Sequence, residues 1–228
     1  DRHAGGINYP RGGVGVIAEK LVKGLEKYKG EIRYTAKVAK VLIEKNKAIG
    51  VELKNGELIY AKKIISNSTR WDTFGSINSN SEEALISERK SPPSELKWNN
   101  RYKPSPSFLS LHLGVNSDLI PKESHCHHIL LENWNEMESE QGVIFISIPT
   151  LLDNSLSPEG KHIIHAFTPS SIKEWEGLAA IDYRKKKDIS STKLITKIEK
   201  IFPGISEAIC HKEIGTPKTH GRFLGRYG

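Results

Sequence analysis

Apolar residues recur at spacings of three and four near the front of the chain and at spacings of two through most of the rest. Val14, Ile17, Leu21, Leu25 and Tyr28 follow the first pattern and predict a helix, which Gly30 is placed to end. Before it stands Tyr9-Pro10-Arg11-Gly12-Gly13-Val14-Gly15, stiff at the proline and permissive at the glycines. Short strands follow: one begun by Ile32 and Tyr34, one over Val38 to Ile43, then Ile49, Val51 and Leu53 in clean alternation. Lys45-Asn46-Lys47 and Asn55-Gly56 supply turns, the second a strong hairpin signal. Leu58 and Tyr60 continue the meander, and Ile64-Ile65 lead out of it. The expectation is one helix feeding an antiparallel ribbon of about four strands.

Residues 75–107 break the pattern. They are rich in Ser, Asn, Lys and Pro and read as a crossover, with short helices around Ser81 to Glu88 and Ser94 to Tyr102. The second helix is expected to bury Leu96 or Trp98. A strand-rich block comes next: Phe108 to Val115, Cys126 to Leu131, Val143 to Ile148 and His162 to Thr168, a set suited to one face-packed sheet. A helix is predicted from about Ala179 to Lys200, closed by Pro203-Gly204, with Leu194, Ile195 and Ile198 on its apolar side. A last strand spans Ala208 to Ile214. Residues 220–228 read as a chain cut within a loop.

Composition narrows the class. The 228 residues are 37% hydrophobic and 27% charged, as in a folded soluble chain and unlike a disordered tail. No apolar run is long enough to cross a bilayer. The net charge is +7, and residues 1–40 hold nine Lys/Arg against four Asp/Glu. Such a basic front is a solvated surface or a patch facing anionic lipid. Nucleic acid is not expected, because no arginine-rich helix or aromatic platform accompanies the charge. Cys126 and Cys210 stand far apart, outside any CxxC, and point to no disulfide framework.

Candidate chemistry is sparse. His125, Cys126, His127 and His128 are adjacent, with His162 and His165 on a later strand. Strand alternation puts His125 and His127 on one face and Cys126 and His128 on the other, so no face offers a four-ligand zinc set, and no metal is expected. Glu82-Glu83, Asp182 and Asp188 read as solvated charges. No G-x-S-x-G elbow is present. The cluster Gly12-Gly13-Val14-Gly15 lacks a strand running into it and a lysine-serine pair after it. It is a tight packing point at a helix start or, less in keeping with its flanks, a dinucleotide pyrophosphate site.

Several segments taken together resemble a known family. Gly5-Gly6-Ile7-Asn8-Tyr9-Pro10-Arg11-Gly12-Gly13-Val14-Gly15 resembles the Y-P-x-G-G segment of the phytoene-desaturase-related flavoproteins. Ile64-Ile65-Ser66-Asn67-Ser68-Thr69-Arg70-Trp71-Asp72-Thr73-Phe74 is very similar to a stretch of the carotenoid isomerases, the prolycopene isomerases, with Ser68 in place of the usual alanine. Matches continue through Ala48-Ile49-Gly50-Val51, Pro106-Ser107-Phe108-Leu109-Ser110, Cys126-His127-His128, Ser147-Ile148-Pro149-Thr150, the run from Ser170 to Leu178 and that from Glu213 to His220. Their order along the whole chain is closer to the isomerases than to the desaturases.

That resemblance implies an α/β fold, with an FAD-binding Rossmann-type domain interleaved with a mixed-sheet substrate domain, both incomplete in this chain. Residues 1–74 would belong to the FAD-binding domain and its ribbon, 75–207 to the substrate domain, and 208–228 to the return toward the FAD-binding domain. It implies conversion of poly-cis lycopene to the all-trans form with reduced FAD and no net redox change. Most of the FAD site would lie outside these residues, which alone are expected to be inactive. Val38 matches a position whose backbone meets the FAD adenine, and is equally a sheet residue. Asn67 is the point where the ribbon would re-enter the FAD domain, or simply a turn residue. The partners implied are a hydrophobic polyene and an anionic membrane surface, met peripherally at the cytoplasmic face of a bacterial membrane or its plastid equivalent. The alternatives are a carotenoid desaturase or related FAD-dependent oxidoreductase, and a non-catalytic lipid- or carotenoid-binding module.

Overall fold

A computed structural model describes residues 8–75, 84–87, 90–102 and 105–225. The chain divides into two compact units. Among the described residues, one comprises 8–31 and 106–220; the other comprises 32–75, 84–87, 90–102, 105 and 221–225. Among the described residues no helix is long and apolar enough to cross a membrane.

The second unit is built on a three-stranded antiparallel sheet of β1 (Val38–Glu44), β2 (Lys47–Leu53) and β3 (Leu58–Tyr60). Lys45 and Asn46 alone join β1 to β2, and both have positive φ, 46° and 62°. That is the backbone of a two-residue hairpin turn whose twist matches its strands. Between β2 and β3, Gly56 has φ 87°, and the Glu57 N–H donates to Asn55 Oδ1 at 3.1 Å. The expected strand at Ile32 and Tyr34 does not form: these residues stay irregular, with Thr35 at φ 56°. The ribbon therefore has three strands.

Helices α2 (Arg70–Phe74) and α3 (Pro93–Arg101) belong to the same unit. Thr69 caps α2: its Oγ1 accepts from the Asp72 N–H at 3.0 Å and donates to Asp72 Oδ2 at 2.5 Å. Trp98 lies 5.0 Å from the Trp71 ring and stacks on Tyr102 at 4.9 Å. The expected burial of Trp98 is partial, and the side chain of Leu96 lies outside the described residues. Of the helix expected around Ser81 to Glu88, residues 81–83 and 88 lie outside the described residues, and 84–87 form no helix.

The first unit holds a five-stranded sheet in the order β5 (His127–Leu131), β6 (Val143–Ser147), β7 (Lys161–Ser170), β4 (Ser107–Asn116), β8 (Ile209–Gly215). Every pairing is antiparallel. One face is the core. Leu109, Leu111, Leu113 and Val115 of β4 are at most 1% exposed, and Ile144, Ile146, Ile164 and Ala166 join them from the neighbouring strands. Helix α4 (Ala180–Ile198) covers this face with Leu194 and Ile198, both fully buried. Each such side chain contributes about 1.5–3 kcal/mol on leaving water. Helix α1 (Gly15–Lys27) carries the predicted apolar stripe, yet Val14, Ile17 and Leu21 stay exposed. After the four-residue α5 (Ile205–Ala208), β8 leads into α6 (Pro217–Leu224), a helix where the sequence predicts a loop.

The expectation of a Rossmann-type domain and a mixed sheet is overturned. Both sheets of the described residues are antiparallel, and no parallel dinucleotide-binding topology is present. The physical reason is the connections. Parallel neighbours need a crossover of a dozen residues or more, whereas β1 and β2 are joined by two.

Candidate functional site

The second face of the five-stranded sheet, opposite α4, carries the most distinctive chemistry. Alternation along β4 puts Phe108, Ser110 and His112 on the face opposite the buried leucines, with Phe108 and His112 exposed and Ser110 buried. Antiparallel register then assembles two rows across the sheet. In the first, Ile129, Phe145, Phe167, Ser110 and Gly215 are successive partners. In the second, His127, Ser147, His165, His112 and Glu213 are partners in the same way.

The rows are in contact internally. Phe145 and Phe167 stack at 5.0 Å with 14° between their planes, and Phe108 meets Phe167 edge-on at 5.4 Å. His112 and His165 lie edge to face at 4.8 Å, and His127 Nδ1 shares a hydrogen bond with Ser147 Oγ at 2.9 Å. Helix α6 places His220 at the β8 end, where Nε2 and Ser110 Oγ are 3.4 Å apart. Gly215 is required there, because a Cβ would come within 2.5 Å of Ser110 Oγ and 3.3 Å of His220 Cε1.

Burial, and then the nearby His112, hold the His165 imidazole below the usual histidine range; His220 is shifted the same way by the same causes in the same order. Both are therefore uncharged at neutral pH. Glu213 is the one acidic residue of the two rows, and His211 lies 3.3 Å from it.

The remaining histidines are placed singly. His128 Nε2 bonds the His125 carbonyl at 2.8 Å, and its ring meets Phe202 edge-on. His162 Nδ1 pairs with Thr150 Oγ1 at 2.8 Å. Burial raises the Cys126 thiol above its ordinary value. Among the described residues no group of three or more His, Cys, Asp or Glu is arranged to hold a metal ion.

The glycine cluster before α1 has its exposed N–H already engaged. Gly12 and Gly13 have φ of 86° and 85°, but the Gly12 N–H already donates to the Asp153 carboxylate at 2.7 Å. That bond, with those from Ser155, holds the Asp153 carboxyl below its usual range. An anion is thus supplied from within the chain, and residues 8–10 before the turn form no strand. The described residues do not fit an FAD pyrophosphate. Val38 is the first residue of β1, half-buried and opposite Leu53, where the register is irregular. Asn67 is exposed. Arg70 stacks on Trp98 at 4.4 Å and pairs with Glu95, so this part of the motif is occupied by local structure. Asp182 and Asp188 both lie on α4, and Glu82-Glu83 falls outside the described residues.

Sequence reasoning missed the His112–His165–His220 grouping and the phenylalanine row. A signal was present: Phe108-x-Ser110-x-His112, Phe145-x-Ser147 and His165-x-Phe167 repeat an aromatic-neutral alternation where a solvent-facing sheet would carry charge.

No family model matches the chain. A chloroplastic prolycopene isomerase from Daucus carota is 51% identical over 228 residues, 99% of this chain and 36% of the relative. That of Arabidopsis thaliana is 48% identical over 99% of this chain and 37% of its own length. A neurosporene-forming phytoene desaturase from Cereibacter sphaeroides is 24% identical over 98% of the chain and 43% of its own. Among solved structures, an oxidoreductase from Methanosarcina mazei aligns with a TM-score of 0.58 at 19% identity, covering 90% of this chain and 42% of that one, a likeness of fold. The chain is thus similar along 99% of its length to the prolycopene isomerases, and spans 36–38% of theirs.

Proposed function

We propose that the intact protein is an FAD-dependent isomerase that converts poly-cis lycopene to all-trans lycopene without net redox change. The observation that carries this reading is 48–51% identity, along 99% of the chain, to proteins named prolycopene isomerase. Matches to phytoene desaturases stand at 21–24%.

Rotation about a double bond requires its π order to be lowered and then restored, which leaves substrate and product with one composition. The cofactor proposed is reduced FAD, which carries the redox chemistry while the protein supplies position and an apolar surface. Its pyrophosphate has no place among the described residues; Val38 is proposed to meet its adenine through the backbone. Val38→Pro in the intact protein removes that N–H and lowers the flavin content of the purified protein, whereas Val38→Ala retains it. Equal flavin in both variants refutes the assignment.

The substrate dissolves in hydrocarbon, so the protein is proposed to meet a membrane peripherally. Several of the similar proteins are named as chloroplastic, which favours a plastid membrane. Incubating the intact protein separately with poly-cis lycopene and phytoene tests the activity. All-trans lycopene from the first and no product from the second are expected. Desaturated products from phytoene identify a desaturase, and absence of both turnover and flavin absorbance identifies a binding module.

A further inference from the structure

We infer that the open face of the five-stranded sheet is the wall along which the polyene lies, with Phe145, Phe167 and Phe108 as its rungs and the His165–His112 pair along its edge. The inference rests on the isomerase reading for its ligand and on the sheet for its residues.

Three features of the face point to a long, uncharged, unsaturated partner. The first is shape. Ile129, Phe145 and Phe167 succeed one another across three strands, so the open part of the row runs roughly 10 Å at the ordinary spacing between strands and ends at the buried Ser110 of β4. That is an elongated track and not a point pocket. The second is charge. In a chain that is 27% charged, the two rows hold Glu213 as their sole formal charge, at the β8 end, while burial and His112 keep His165 and His220 neutral. A neutral ligand loses no solvation of its own against such a face, whereas a charged segment would. The third is the rings. The Phe145–Phe167 stack and the Phe108 edge contact present π faces and edges together, and aromatic pairs favour both arrangements with a further conjugated system.

These side chains are not buried by the unit that carries them. Ile129 is 66% exposed, Phe108 45% and Phe167 36%. An antiparallel sheet with one core face ordinarily presents polar residues on the other. Here the first row is apolar and aromatic as far as Ser110, and Glu213 is the only charged residue of the two rows, while α4 closes the core on the other face. The histidines add orientation. Hydrogen-bonded or ring-stacked in place, they border the apolar row with polar ring edges held at fixed positions.

The test uses the intact protein carrying its flavin. Ile129→p-benzoylphenylalanine places a photo-crosslinker on the track, and Ile181→p-benzoylphenylalanine places one on α4 as a control. Irradiation with poly-cis lycopene is expected to attach the carotenoid at position 129 and not at 181. A crosslink from 129 to another segment of the same chain, to a second copy or to lipid overturns the wall. In parallel, Phe167→Leu is expected to raise KM for poly-cis lycopene roughly three- to tenfold, the weight of one lost aromatic contact, with kcat and melting temperature little changed. A lowered melting temperature with KM unchanged means a packing role and refutes the proposal. The two readings fail separately. If the protein desaturates phytoene instead, attachment of phytoene at position 129 keeps the wall and removes the isomerase. If it isomerises poly-cis lycopene without attachment, the isomerase stands and the wall falls.

Discussion

Replacing Trp175 by phenylalanine loosens the five-stranded sheet from the helix that covers it. Trp175 is fully buried and sits between the end of β7 and α4. Its Nε1–H donates to Ser170 Oγ at 2.9 Å, its ring meets Tyr183 edge-on at 5.6 Å, and Lys186 Nζ lies 5.0 Å over its face. Tyr183 in turn bonds Thr216 Oγ1 at 2.7 Å, which ties the joint to the β8–α6 corner. Trp175→Phe leaves the Ser170 hydroxyl, 2% exposed, without its donor. Stranding a buried hydroxyl costs about 1–3 kcal/mol. The smaller ring leaves a gap that adds about 1–2 kcal/mol on the scale of core truncations. The sum is about 2–5 kcal/mol. Ser170→Ala in the Trp175→Phe background removes the stranded group, so the two changes are coupled by about 1–2 kcal/mol. Hydrogen exchange of the intact protein reads this locally: at tenfold per 1.4 kcal/mol, β7 and α4 amides lose roughly 30- to 3000-fold of their protection. Exchange within about twofold of the parent, or strict additivity of the two substitutions, refutes the reasoning.

Two further outcomes follow from the same structure. His162, His165 and His220 all lie below the usual histidine range, each chiefly through burial. Their folded forms bind protons less readily than the unfolded chain, so their contribution is present above the unfolded value near 6.5 and is lost as pH falls through it toward the folded values. The urea midpoint is expected to drop between pH 7.5 and 5.5, with a shallower drop in His165→Gln/His220→Gln; a flat parent profile contradicts this. The intact protein is expected to float with anionic vesicles, to be partly released by salt, and to be fully released by carbonate, since exposed charges are screened over roughly 8 Å at physiological ionic strength. Turnover of carotenoid in vesicles without any flotation rules out docking.

Much of the local structure is legible in the sequence because it rests on periodicity. Spacings of three and four from Val14 to Tyr28 mark α1, and alternation marks the leucines of β4. Asn55-Gly56 marks a turn, as its composition requires. Ile32 and Tyr34 mislead because two apolar residues two apart satisfy alternation without a partner strand. Residues 220–228 read as a loop because they carry no apolar periodicity, whereas 220–224 continue α6, which Pro217 opens where its missing N–H costs nothing. The Rossmann expectation came from resemblance and not from the residues, and the two-residue link at Lys45-Asn46 already argues for antiparallel pairing. The open face was hidden for a different reason. His112 and His165 become neighbours only through register between β4 and β7, and a single strand's alternation carries no register.

The most direct test of the central claim counts turnovers against electrons. The intact protein, with its flavin reduced once and held without oxygen, receives an excess of poly-cis lycopene, and the products are resolved by chromatography and mass. An isomerase without net redox change yields many all-trans lycopene molecules per reduced flavin, each of the substrate's mass. One product molecule per flavin, or a product lighter or heavier by hydrogen, contradicts the account.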